Sequence, residues 1–130
     1  MSPDFMDLDD VLELHLELIS QFGGANGVRD MGLLESALAV PRSGMGGQYF
    51  HTDEFEMAAA YLFHLVKNHP FLDGNKRAGA AAALVFLEMN GIEVRAKDDD
   101  VVDITLGVAE GRIQKSGVAE FLRKHSSRRK

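Results

Sequence analysis

A chain of 130 residues suits one hydrophobic core, and its 45% apolar and 26% charged fractions are those of an ordinary globular protein. The absence of cysteine excludes disulfide frameworks and thiolate chemistry and fits a reducing cytoplasm. A net charge of −6 argues against direct nucleic-acid binding, and neither the acidic start nor the longest apolar run, Ala78 to Leu87, predicts a secretory leader or a membrane span.

Residues 1–17 hold six acids and no Lys or Arg. Within 8–22, Leu12, Leu14, Leu16 and Leu18 alternate with polar residues as in a strand, yet Leu8, Val11, Leu12, Leu16, Ile19 and Phe22 form a helical stripe. A cap at Asp7 and a stop at Gly23-Gly24 decide for helix, with His15 a structural residue in the leucine stripe. Asp30 predicts the N-cap of a short helix through Ala39, stopped by Pro41. The glycine-rich segment PRSGMGGQYFHT (41–52) reads as a flap or small hairpin. Thr52 or Asp53 then caps a third helix with Phe55, Ala58, Ala59, Leu62, Leu65 and Val66 on one face. Pro70 ends it by driving His69 out of the helical region.

A fourth helix, about Asn75 to Asn90, is apolar nearly all round, as expected of a central helix enclosed by others, and Gly91 terminates it. Residues 92–96, IEVRA, form a short extended piece. Helices are predicted near 100–110, after Asp98-Asp99-Asp100, and at 117–125, after Ser116. The basic stretch 123–130 holds five Lys or Arg and no acid, which predicts a flexible, solvated tail. The expected fold is all-α, a single domain over 1–130 with about six helices around a buried central one.

The chemistry concentrates in HPFLDGNKRAG, residues 69–79. Cations at a helix start are disfavoured by about 0.3–1 kcal/mol each, so Lys76 and Arg77 call for something negative there. Gly74 lets the backbone approach a ligand, and the helix beginning at Asn75 aims free N–H groups at it, an arrangement suited to phosphate. Asp73 offers hard oxygen donors to Mg2+, and His69 can take a proton near neutral pH. Phe71 turns inward as an anchor. Taken singly, Asp73-Gly74-Asn75 is an ordinary turn signal and His69 an ordinary structural histidine. His64 and His69 are five positions apart, on different helical faces, which makes a poor zinc pair.

The string resembles the signature of the Fic/Doc superfamily, in which His-Pro-Phe leads into acid-Gly-Asn and then basic residues. The form GNKR, with Lys76 where Fic proteins usually have glycine, is similar to the Doc (death-on-curing) branch. GVRDMGLLESALAVP (27–41), GGQ (46–48) and AAALVFLEMNG (81–91) also resemble Doc segments, so the likeness extends over roughly residues 8–122. It implies a helical bundle whose central helix begins at the motif. It further implies a toxin of a toxin–antitoxin pair that transfers a phosphoryl group from ATP to a threonine of elongation factor Tu. Carried onto this chain, His69 is the base, Asp73 the Mg2+ ligand, Phe71 the anchor, and Gly74, Asn75, Lys76 and Arg77 the phosphate cradle, with Arg77 counted among the catalytic residues.

Fic proteins that transfer AMP usually carry a second arginine three residues after the first, where this chain has Ala80. Its absence, with the added Lys76, favours a reversed nucleotide that presents its terminal phosphoryl. AMP transfer and an inactive binding module of the same fold are the rival readings. Arg29 and Asp30 resemble a fixed family feature that helix capping explains equally well, and Gln48 and Tyr49 fall in the flap that aligns target protein in Fic relatives. No internal inhibitory helix is evident. The expected restraint is therefore a small antitoxin, disordered when free, that folds as an amphipathic helix in a groove beside the site.

Overall fold

Three aspartates open three of the helices in the computed structural model, which describes residues 2–129. Asp7 and Asp10 make a reciprocal capping box on α1 (Leu8–Phe22). Asp30 accepts the Leu33 N–H at the start of α2 (Met31–Ala39), and Asp53 accepts the Glu56 N–H at the start of α3 (Glu54–Asn68). Each bond satisfies a donor that the first turn leaves without a helical partner, worth about 1 kcal/mol. Pro41 converts the end of α2 into a single 3₁₀ turn, Val40–Arg42. The glycine-rich segment is a hairpin of β1 (Gly44–Met45) and β2 (Gln48–Tyr49), with Gly44 opposite Tyr49. There follow α4 (Asn75–Met89), β3 (Ile92–Val94), α5 (Asp98–Ala109), α6 (Lys115–Lys124) and β4 (Ser126–Arg128).

The six helices and minor strands make the fold helical, as expected. The middle of the molecule is a pair of helices rather than one. α3 lies against α2, α4, α5 and α6, while α4 lies against α1, α3, α5 and β3. Residues 57–62 of α3 are all buried. In α4 none of residues 78–87 is exposed, but Ala80, Ala81, Leu84 and Val85 are only half-buried. Small side chains explain the close pairing. A Cβ on Gly79 would come within 3.0 Å of the Leu62 carbonyl oxygen and 2.9 Å of Val66 Cγ2, so only glycine fits at that crossing. Below it the buried rings of Tyr61 and Phe86 meet at 5.2 Å, and the Tyr61 hydroxyl donates to the Met6 carbonyl, tying down the N-terminal segment.

Three expectations about the C-terminal third are corrected. Asp98, Asp99 and Asp100 do not precede α5 but form its first turn, behind Lys97 as N-cap, where acids complement the positive helix end. α6 starts at Lys115, ahead of Ser116 rather than after it. The basic stretch is not a frayed tail over 123–129, because Arg123 and Lys124 finish α6 and residues 126–128 pair antiparallel with β3, Val94 opposite Ser126. Its cations find acids brought from elsewhere: Arg123 meets Asp53 at 2.9 Å and Arg128 meets Glu54 at 2.9 Å. Lys130 lies outside the described residues. Among those described, no helix is long and apolar enough to cross a membrane.

Candidate active site

α3 ends abruptly at His69, which adopts the left-handed conformation (φ 52°, ψ 52°). Among the described residues it is the only non-glycine with positive φ. A residue before proline is ordinarily extended, and a left-handed non-glycine costs on the order of 1–3 kcal/mol, so surrounding contacts must hold it. Arg29 does so: its guanidinium donates to the His69 carbonyl through Nε (2.7 Å) and to the Asn68 carbonyl through Nη2 (3.1 Å). The main-chain N–H groups of Arg29 and Asp30 donate to the Pro70 carbonyl at 2.7 and 3.0 Å. Arg29 thus caps α3 while Asp30 caps α2, which accounts for both residues without a ligand.

The loop that follows is pinned from three directions. Asn75, only 4% exposed, accepts the Phe71 N–H at 2.9 Å and returns its amide N–H to the Phe71 carbonyl at 3.1 Å. Leu72 N–H donates to the Gly27 carbonyl at 3.0 Å. From α1, His15 donates from Nε2 to the Asp73 carbonyl at 2.8 Å, and its ring stacks on Phe71 with centroids 3.7 Å apart and planes 4° from parallel. Phe71 is fully buried, the inward anchor expected of it. The Asp73 carboxylate accepts two backbone bonds, from Gly74 N–H (2.9 Å) and Ala25 N–H (3.2 Å).

Gly74 caps α4 in the left-handed region (φ 77°) and offers no side chain to the helix end. The N–H groups of Asn75, Lys76 and Arg77 therefore stand at the start of α4 without a side-chain cap, a ready anion cradle. Lys76 and Arg77 are exposed beside it, and neither joins an ion pair among the described residues. The Arg77 guanidinium rests 4.6 Å above the Phe22 ring. A cleft of about 1020 Å³ brings His69, Asp73, Gly74, Asn75, Lys76 and Arg77 together. Its opposite wall is α5, through Val101, Val102, Thr105 and Leu106.

A sequence model described as "Fic/DOC family" matches residues 5–87 of this chain. The chain belongs to the Fic/DOC family. It is 35% identical over 116 residues to a protein of Escherichia phage P1 described as "Protein kinase doc", across 89% of this chain and 90% of that protein. It is 40% identical over 96 residues to "Toxin Doc" of Mycolicibacterium smegmatis, across 74% of this chain and 72% of that one. These relatives put it on the Doc branch.

Within this Doc-branch fold, several site-forming contacts carried no local signal, although Arg29 and His15 themselves stood out in the sequence. Arg29, His15 and Phe22 act across long stretches of chain, and α5 forms a wall only because α4 and α5 pack side by side. One cue was available: a histidine buried in a leucine stripe must bond something, and most side-chain hydrogen bonds go to backbone or water. In the flap, Tyr49 packs edge-on against Phe5 (5.5 Å) and donates its hydroxyl to Ser2, which leaves Gln48 exposed. Away from the cleft, His64 has an Nε2 buried without a partner, and burial pushes its pKa down to about 4. Among the described residues no three His, Asp or Glu side chains are grouped to hold a metal.

Proposed function

We propose that this chain is a Doc-type toxin that moves the terminal phosphoryl group of ATP onto a hydroxyl of a target protein in the cytoplasm. The observation that carries the reading is an uncapped helix start with two unpaired cations in the same cleft as an exposed imidazole. Phosphoryl transfer asks mainly for alignment and charge neutralisation, and this small set supplies both. In this reading Gly74, the N–H groups of Asn75 and its successors, and the Lys76 and Arg77 side chains hold the phosphates. The Asn75 amide has a separate task, since both its polar atoms serve Phe71.

His69 takes the proton of the target hydroxyl as that oxygen bonds to the γ-phosphorus. The bond from phosphorus to the bridging oxygen breaks, ADP departs, and the imidazolium passes its proton to water. Asp73 fits Mg2+ as a hard oxygen donor, because each carboxylate oxygen accepts one backbone N–H and keeps a lone pair. A single carboxylate matches an ion that arrives with the nucleotide and retains waters. When bound, Mg2+ neutralises phosphate charge.

Phosphoryl rather than AMP transfer is supported by Ala80, which lines the cleft where AMP-transferring relatives usually carry arginine, and by the added Lys76. The phage relative described as a protein kinase points the same way. By family likeness a threonine of elongation factor Tu is the first target to offer. The exposed Leu72, Val102 and Leu106 along the cleft suit the apolar face of an antitoxin helix. Label placement tests the reaction: γ-labelled ATP should mark the target. Marking by α-labelled ATP would establish AMP transfer instead, and marking by neither would leave a binding module.

A further inference from the structure

We propose that His15, on α1 and outside the motif, is a positioning residue for transfer: its Nε2–H fixes the Asp73–Gly74 peptide from which the cradle starts. The inference rests on the phosphotransfer reading of the cleft. His15 is 2% exposed, so its imidazole makes no direct contact with a ligand in solvent. An apolar side chain would fill the same space against Phe71. What the imidazole adds is one directed N–H, and the 2.8 Å bond delivers it to the Asp73 carbonyl. That acceptor fixes the proton on Nε2, since a carbonyl cannot donate.

The position of this bond gives it leverage. The Asp73 carboxylate is held independently by the Gly74 and Ala25 N–H groups, and the Phe71 backbone by Asn75. The Asp73 carbonyl is the one handle on the plane of the next peptide that another helix holds, since the Gly74 N–H of the same plane bonds only within the loop, to Asp73 Oδ1 at 2.9 Å. That plane carries the Gly74 N–H and leads into the left-handed Gly74, so rotating it re-aims the first N–H groups of α4. There is little slack beneath it: a Cβ on Gly74 would stand 3.6 Å from His15 Nε2 and 3.3 Å from Ile19 Cδ1. α1 thus backs the loop without lining the cleft, with His15 bonded to Asp73 and Phe22 beneath the Arg77 guanidinium at 4.6 Å.

The test uses the full chain as wild type, His15→Leu (close to histidine in volume) and His15→Phe (a larger flat ring), both of which lose the donor, and His15→Gln (which keeps an N–H at the matching atom). Charge, not this bond, supplies most ATP binding, so KM for ATP should stay within about 3-fold in His15→Phe while kcat falls roughly 10–100-fold, the penalty of a misplaced reacting group. His15→Gln should recover most of kcat. A purely structural role predicts lower stability with unchanged kcat per folded molecule, and that result would overturn the proposal. So would a His15→Gln variant as slow as His15→Phe. Should the phenylalanine variant not fold, His15→Leu takes its place. Failure of the site reading is visible separately, as a wild type that neither binds Mg-ATP nor labels any target. In that event amide exchange at Gly74, whose N–H is bonded to Asp73 Oδ1, still decides the contact, being faster in the apolar variants than in wild type and His15→Gln.

Discussion

Replacing Asn75 by alanine should unfold the site loop before it harms the nucleotide contacts. Asn75 spends both polar atoms on one residue, accepting from Phe71 N–H at 2.9 Å and donating to Phe71 C=O at 3.1 Å. Phe71 is fully buried and Asn75 nearly so, so water cannot reach the groups left behind. A buried donor and a buried acceptor without partners cost about 1–3 kcal/mol each, giving roughly 2–6 kcal/mol in all. With an unfolding entropy of about 2.1 cal/mol/K per residue, that is a fall of roughly 7–22 °C in Tm for a chain this long. Asn75→Asp should be as damaging, because it keeps the acceptor for Phe71 N–H but turns an oxygen towards the Phe71 carbonyl. Differential scanning calorimetry without nucleotide gives the answer. A loss below about 1 kcal/mol in both variants would show that Asn75 is not the clasp of this loop.

Lys76→Ala and Arg77→Ala should each weaken Mg-ATP binding sharply in titration calorimetry, and retained affinity in both would make the cradle an ordinary turn. His69→Ala should slow transfer by about 10²–10⁴-fold with binding largely kept, and an unchanged rate would remove the base assignment. Burial holds the His64 pKa near 4 in the fold against 6.5 in the open chain, so only the unfolded state takes a proton between those values. Stability is therefore full above that window and is lost as pH falls through it. The shift alone converts to about 3.4 kcal/mol, which partial exposure reduces to about 1–2 kcal/mol. His64→Gln should flatten the dependence of urea midpoints between about pH 7 and about pH 5, and an equally steep profile would refute the assignment.

The helix starts at Asp7 and Asp30, and the third to within Thr52 or Asp53, were legible because a cap is a local bond, three residues from its donor. The site motif was legible for the same reason, being eleven consecutive residues whose chemistry is continuous along the chain. What sequence reasoning missed is long-range. The His15 bond to the Asp73 carbonyl spans 58 residues and the Arg29 bond to the His69 carbonyl spans 40. Charge misled at the C-terminus, since five cations among eight residues predict a solvated tail until Asp53, Glu54 and Glu88 are brought beside Arg123, Arg128 and Arg129. The apolar run of α4 announced a central helix but not that α3 would share the middle, because alanine-rich faces of both helices approach across Gly79.

A polypeptide leaves the ribosome N-terminus first, and the packing of α6 against α3 gives that order a consequence. The whole loop from His69 to Arg77 is synthesised before any residue of α6, and before the strand that closes on β3. Until then the face of α3 that Val118, Ala119 and Leu122 will cover stands open to water, and the pair of central helices lacks one flank. A nascent chain can thus hold every residue of the cleft without the framework that keeps the cleft in shape. The framework of the cleft is therefore complete only once α6 has been made and has settled over the helix made near the middle.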